Sequence, residues 1–261
     1  MFKRKTVFVL GAGASLPYGY PLGAELKTQM ISLPDMTAVK FVDSCKFGRE
    51  VHADFARRFR GSACSSIDEF LEVNKDCDAL GRLLIAYFIM RRENTEWFPD
   101  GKPSDAHPFG NPSVWYDVVL NAMLGRWPTP RGNRLSFVTF NYDLSLEYFF
   151  ESSLNARFGW SREKVADEMA GIPIVHIHGT VGNLGNRRYG ETQNPDVIGE
   201  IAKSIRIFGD DEDGRRDEVA LARHLLDESE FIFYLGFGFH DVNMKRLGWD
   251  ASRYHDRAYA C

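Results

Sequence analysis

Four short stretches of this 261-residue chain carry residue types and spacings that could do chemistry. The first is Gly11-Ala12-Gly13-Ala14-Ser15, set directly after the apolar run Val7–Leu10. A glycine turn between a strand and a helix exposes backbone N–H groups, glycine permits close approach, and a helix N-terminus adds partial positive charge, so the stretch could seat a phosphate. It is neither of the two familiar phosphate loops. The G-x-G-x-x-G spacing is not met, and no G-K-[ST] follows to supply the lysine and hydroxyl of ATP chemistry. The second stretch, Thr139-Phe140-Asn141-Tyr142-Asp143, offers an amide and a carboxylate, with Asp143 also placed to cap a helix beginning at Leu144. The third, His176-Ile177-His178-Gly179, has two imidazoles two residues apart on one strand, which therefore point to the same side. H-x-H is also a metal pair, with His240 and Asp241 as further ligands, although no third ligand stands at a telling spacing. The fourth, Gly236 to Asn243, opens with Gly236-Phe237-Gly238. Tyr18, Tyr20, Phe237 and Phe239 present aromatic faces that suit either a planar base or the core.

These stretches need elements to position them. Thr6 to Leu10 is a continuous β-rich run, as in a parallel strand covered on both faces. The same strand–turn–helix rhythm returns at Leu135 to Phe140, Ile172 to Ile177 and Phe231 to Leu235, and Arg257 to Cys261 resembles the opening of one more strand. Each strand runs into polar or glycine residues, and an open parallel sheet collects its ligand outside the carboxyl ends of its strands. Between these repeats, about Asp35 to Arg134 is helical in pattern. Ser66 and Glu69 have capping-box spacing, and Ile67, Phe70, Leu71, Asn74, Cys77, Leu80, Leu84 and Tyr87 draw one apolar stripe, predicting a single helix. Glu93 to Pro112 reads as a surface loop, Val114 to Leu124 as a shorter helix, and Asp217 to Asp227 as a helix behind the solvated acidic run Asp210 to Asp213. The expected fold is α/β: a Rossmann-like parallel sheet with helices on both faces, a core of residues 1–34 and 131–261, and a helical insertion over 35–130.

Composition narrows the function classes. With 44% apolar residues the chain can bury a full interior. Its 32 Lys+Arg against 36 Asp+Glu give 32 − 36 = −4, so no global positive field recruits nucleic acid. The apolar run after the basic Met1–Lys5 is too short for a signal sequence or a membrane span, which leads to the expectation of a cytoplasmic protein with no membrane partner. Cys45, Cys64, Cys77 and Cys261 are scattered, with no C-x-x-C pair to build a disulfide framework or a zinc ribbon.

Taken in order, "GAGAS", "TFNYD", "HIHG" and "GFGFHDVN" resemble the sirtuin family, and more closely its bacterial sirtuin-like branch of NAD-consuming anti-phage effectors. The likeness covers residues 1–34 and about 131–261; within the insertion only "SIDEFL", Ser66 to Leu71, shares it. The resemblance implies a pyrophosphate loop of Gly11, Ala12, Gly13 and Ser15, an adenosine side of Gly236, Phe237 and Gly238, and Asn141 and Asp143 facing the nicotinamide ribose. It makes His178 the catalytic histidine. It further implies control by homo-oligomerisation or by a separate sensor or ATPase protein.

Two departures shape the expected activity. Protein-deacylating sirtuins carry a four-cysteine zinc module after the catalytic histidine, and here Cys261 alone follows His178. Their G-I-P-D-F-R loop is replaced by Gly19-Tyr20-Pro21-Leu22-Gly23-Ala24. Glycosidic cleavage of NAD needs neither feature. The expectation is therefore a zinc-free NAD glycohydrolase, with NAD as substrate, Asn141 orienting ribose or water and neutral His178 accepting a proton. A non-catalytic NAD or ADP-ribose sensor and a metallohydrolase using His176 and His178 are the alternatives.

Overall fold

The structure, a computed structural model, describes residues 1–45, 47–93, 115–125, 129–191, 194–207 and 217–260. Strand β1 (Thr6–Leu10) is buried along its whole length. It lies at the middle of a parallel sheet completed, among the described residues, by β2 (Leu135–Thr139), β3 (Ile174–His176), β4 (Phe231–Leu235) and β5 (Ala258–Ala260). The strand order is β3-β2-β1-β4-β5, that of a doubly wound Rossmann-like sheet. Strand alternation sends Phe8, Leu10, Leu135 and Phe137 into the larger core and Val7, Val9, Val138, Ile232 and Tyr234 into the smaller one on the other face. Phe8 sits in register between Phe137 and Phe233, with ring centroids 5.7 and 5.2 Å away, which ties the three central strands together.

The helices follow as α1 (Ala12–Ser15), α2 (Gly23–Ser32), α3 (Met36–Ser44), α4 (Gly48–Gly61), α5 (Ile67–Val73), α6 (Asp78–Met90), α7 (Trp115–Leu124), α8 (Ser145–Phe158), α9 (Arg162–Met169), α10 (Pro195–Ala202), α11 (Asp217–Glu228), α12 (Asp241–Arg246) and α13 (Ala251–Tyr254). Phe41, Phe59, Phe70, Leu84 and Met123 carry α3 to α7 into the same core as Phe8 and Phe137. Ala222, Leu226 and Tyr254 bring α11 and α13 to the other face. No helix among the described residues is long and apolar enough to cross a membrane.

The expected single helix through Ile67 and Tyr87 is instead two. Asn74 leaves helical geometry at φ −117°, ψ 68°, and its side-chain amide donates to the Phe70 carbonyl at 2.8 Å in competition with the helical ladder. A 3-10 turn, Lys75–Cys77, then redirects the chain into α6, which is buried on nearly every side. The stripe is real, but a local side-chain bond breaks the axis. Strand β3 is shorter than the expected Ile172 to Ile177, because Ile177 and His178 already lie in a turn. The expected loop up to Pro112 beyond Glu93, the acidic run and Cys261 lie outside the described residues.

Candidate active site

Strands β1 and β4 leave the sheet side by side, with Leu10 paired to Leu235, and the glycine loops that follow them interlock. Gly11 N–H donates to the Leu235 carbonyl at 3.1 Å, and Gly13 N–H to the Gly236 carbonyl at 3.0 Å. A Cβ on Gly11 would stand 2.5 Å from the Gly236 oxygen, and one on Gly13 would stand 2.8 Å from the Gly236 Cα. Gly236 itself has φ +55°, and a Cβ there would fall on Ala14 N and the Gly13 carbonyl carbon. These glycines are therefore demanded by one backbone packing on another. The N–H groups of Ala12, Phe237 and Gly238, in contrast, make no hydrogen bond with the described residues. The short α1, only four residues before the 3-10 turn Leu16–Tyr18, adds little macrodipole.

Outside these carboxyl ends, at the point where the strand order reverses, lies a cavity of about 500 Å³. It is lined by every residue singled out for substrate: Gly11, Ala12, Gly13, Ser15, Asn141, Asp143, His178, Gly236, Phe237 and Gly238. The Asn141 side-chain amide donates to Gly11 O and to Ser15 Oγ, both at 2.9 Å, while Asn141 N–H donates to Thr139 Oγ1 at 3.0 Å. Both amide protons are thus spent on the first loop, and Oδ1 remains as the acceptor. Asp143 is buried and accepts from Ser145 N–H at 3.1 Å and from the Ser145 hydroxyl, which in turn meets Tyr116 Oη at 2.7 Å. Burial pushes the Asp143 carboxyl up, against the hydroxyls of Ser145 and Ser15, which favour the anion. The N-cap of α8 is Leu144, with no side-chain cap, so Asp143 does not cap the helix as expected; it braces the turn from the position before the cap, while one edge lines the cavity.

His178 is buried against the rings of Phe140 and Tyr142. Its Nδ1 lies 3.4 Å from Asp68 Oδ1, and its Nε2 lies 3.3 Å from Arg246 Nη1. Burial lowers its pKa; the Asp68 carboxylate opposes this and the Arg246 guanidinium adds to it, leaving an imidazole that is neutral at physiological pH. His176 has different surroundings. Its Nε2 meets Glu147 Oε1 at 2.6 Å and its Nδ1 meets the Asn141 carbonyl at 2.9 Å, and it does not line the 500 Å³ cavity. The strand ends at His176, so the two-residue rule does not carry the pair to one face, and the imidazoles have separate partners. Among the described residues no group of three or more His, Cys, Asp or Glu side chains is arranged to hold a metal ion.

Sequence reasoning missed Asp68, Glu72 and Arg246. Glu72 Oε2 lies 3.2 Å from Arg246 Nη2, and Asp68 and Arg246 line the cavity. The signal for Asp68 was present in "SIDEFL", where it served only to mark a helix start; nothing marks Arg246 until α12 is folded against α5. Of the aromatics, Tyr20 and Phe237 line the cavity, Tyr18 stacks on Tyr116 in the core with centroids 3.7 Å apart, and Phe239 is 43% exposed.

The strand order, the interlocked loops and the cavity at the switch point define a doubly wound α/β protein. Residues 135–257, a little under half of the chain, match the family described as SIR2-like domain, so this segment is similar to sirtuin-like proteins. The matched segment holds Asn141, Asp143, His178, Gly236 to Gly238 and Arg246; the loop Gly11–Ser15 and Asp68 complete the cavity from outside it. No curated protein matches the chain.

Proposed function

We propose that the chain binds NAD in this cavity and hydrolyses its nicotinamide–ribose bond, giving nicotinamide, ADP-ribose and a proton. The observation that carries the reading is the convergence on one cavity of Asn141 Oδ1, a neutral His178 and the N–H groups of Ala12, Phe237 and Gly238. The fit is chemical as well as spatial. Unpaired N–H groups suit the pyrophosphate, replacing the Gly11 and Gly13 donors that the second loop already uses. Nicotinamide leaves as a neutral amide, so the protein needs no acid for it. Asn141 Oδ1 orients a ribose hydroxyl or the water, and His178 accepts the proton released. Neither step calls on zinc. As a reading of role, such an enzyme depletes NAD in an infected bacterial cytoplasm and is held in check by self-assembly or by a separate sensor or ATPase partner.

One observation favours the alternative of a non-catalytic NAD or ADP-ribose sensor, because Arg246 Nη1 stands on the nitrogen that a base must leave open. Incubating purified protein with NAD, alone and with the product of the neighbouring gene, separates the two. Release of free nicotinamide supports the hydrolase. Binding of NAD by calorimetry without release supports the sensor, and neither binding nor release refutes both.

A further inference from the structure

We propose that Asp68, delivered by the helical layer, is a positioning residue for His178: it holds the imidazole as the Nδ1-protonated tautomer, so that Nε2 is the atom that takes the proton. For its consequence in turnover this rests on the NAD-cleaving reading; as a statement about His178 it does not.

The argument begins with donors and acceptors. A guanidinium only donates, so the nitrogen facing Arg246 Nη1 at 3.3 Å presents its lone pair. A neutral imidazole has one N–H, which then resides on Nδ1, and the group facing Nδ1 at 3.4 Å is the acceptor Asp68 Oδ1. The Arg246 contact is a long hydrogen bond, whereas Asp68 stands at ion-pair distance without a formed hydrogen bond, an approach for substrate to tighten, as it often does catalytic contacts. Asp68 is itself held. The Tyr142 hydroxyl, from the turn between Asn141 and Asp143, donates to its Oδ1. The start of α5 is pinned by Ser66 Oγ accepting from Glu69 N–H at 3.2 Å and by the Glu69 carboxylate accepting from Ser65 N–H and Oγ at 2.8 and 2.9 Å. The carboxylate is 13% exposed, which keeps water from competing for the imidazole.

The charged and titratable groups facing His178 are Asp68 from α5, Arg246 from α12 and Tyr142 from the β2–α8 turn; Arg206 contributes its N–H to the His178 carbonyl at 2.9 Å. Arg246 and Asp68 therefore divide the imidazole between them. To reach Nε2, a substrate hydroxyl must replace Nη1 there, and Arg246 keeps its ion pair with Glu72 through Nη2 when it yields. The helical layer thus contributes a residue to the site rather than only covering it.

The test is the long-range ¹H–¹⁵N spectrum of labelled, NAD-free protein, with the His178 signals assigned by their loss in His178→Gln. The expected wild-type pattern is a protonated Nδ1 and an acceptor Nε2, with Asp68→Asn shifting His178 toward the Nε2-protonated form. An Nε2-protonated His178 in wild type, or an unchanged tautomer in folded Asp68→Asn, overturns the proposal. In turnover, Asp68→Asn is expected to lower kcat on the order of 10²-fold with KM for NAD little changed. The acidic limb of its kcat/KM profile should move to lower pH, because an anion that favours imidazolium is gone. Arg246→Gln should move the same limb to higher pH; limbs that stay put in both variants also overturn the proposal. If wild type releases no nicotinamide, the NAD-cleaving reading falls, while the spectrum still decides the tautomer.

Discussion

Ser15 Oγ and Asn141 Nδ2 meet at 2.9 Å across 126 positions of sequence, joining the loop after β1 to the turn after β2. The serine hydroxyl is buried and also reaches Asp143, so its neighbours are Asn141 and Asp143 rather than open solvent. Ser15→Ala strands one amide proton of Asn141 and removes a donor from a buried carboxylate. It should lower stability by roughly 1–3 kcal/mol and, if NAD is the substrate, lower kcat more than it raises KM. Thermal unfolding with steady-state kinetics checks both, and a pure KM effect would place Ser15 on the pyrophosphate instead.

The interlocked loops separate two kinds of glycine. Gly236→Ala forces a side chain at positive φ into the backbone of Gly13 and Ala14, and should destabilise by on the order of 1–3 kcal/mol or more. Gly238→Ala meets the His240 ring at 2.9 Å, and that side chain can swing away, so the fold should survive. Chemical denaturation of both variants, side by side, tests the contrast.

Turnover should distinguish the two histidines. His178→Ala is expected to lose about 10²- to 10⁴-fold in nicotinamide release while remaining folded, as removal of a positioned base does. Asn141→Ala should lose nearly as much through orientation. His176→Gln should keep measurable turnover, since its partners are Glu147 and a backbone carbonyl. Chelator should change none of this; equal loss at both histidines with rescue by metal would instead establish a metallohydrolase.

The same histidines should shape stability against pH in opposite ways. Burial works to lower the His176 pKa, but Glu147 and the Asn141 carbonyl overcome it and hold the group above its ordinary 6.5. Its contribution is therefore fully present below 6.5 and is lost as pH rises through the raised value. His178, lowered by burial, contributes above 6.5 and loses that contribution as pH falls through its depressed value. Melting temperatures measured over roughly pH 5 to 9 should flatten on the alkaline side in His176→Gln and on the acid side in His178→Gln.

Glu93 and Arg187 form a buried ion pair that ties the end of α6 to the segment after His178, with Nη1 to Oε2 at 2.6 Å and Gly190 N–H adding a bond at 2.9 Å. Arg187→Met leaves a buried carboxylate without its cation and should cost roughly 3–5 kcal/mol. Glu93→Gln combined with Arg187→Met should cost less than the single change, measurable as a double-mutant cycle by denaturant unfolding.

Much of the sheet is legible in the chain itself. Thr6–Leu10 and Phe231–Leu235 coincide with their apolar runs, β1 buried along its whole length and β4 buried on one face and half-buried on the other, so neither carries a charged residue to blur its ends. The strand-end residues Asn141 and His178 stand out for the same reason, as polar groups where an apolar run stops. Local composition therefore determined the α/β class and the side of the sheet on which the cavity opens. It could not show that Gly13 and Gly236 require each other, that Asn74 breaks an apparently continuous helical stripe, or that His176 and His178 part company after the strand ends. Least of all could it join Asp68 and Arg246 to opposite nitrogens of His178. The Asn74 break and the end of the strand at His176 are local, but the glycine packing and the two His178 contacts join segments tens to more than a hundred residues apart, whose atoms come within reach only when the chain has folded.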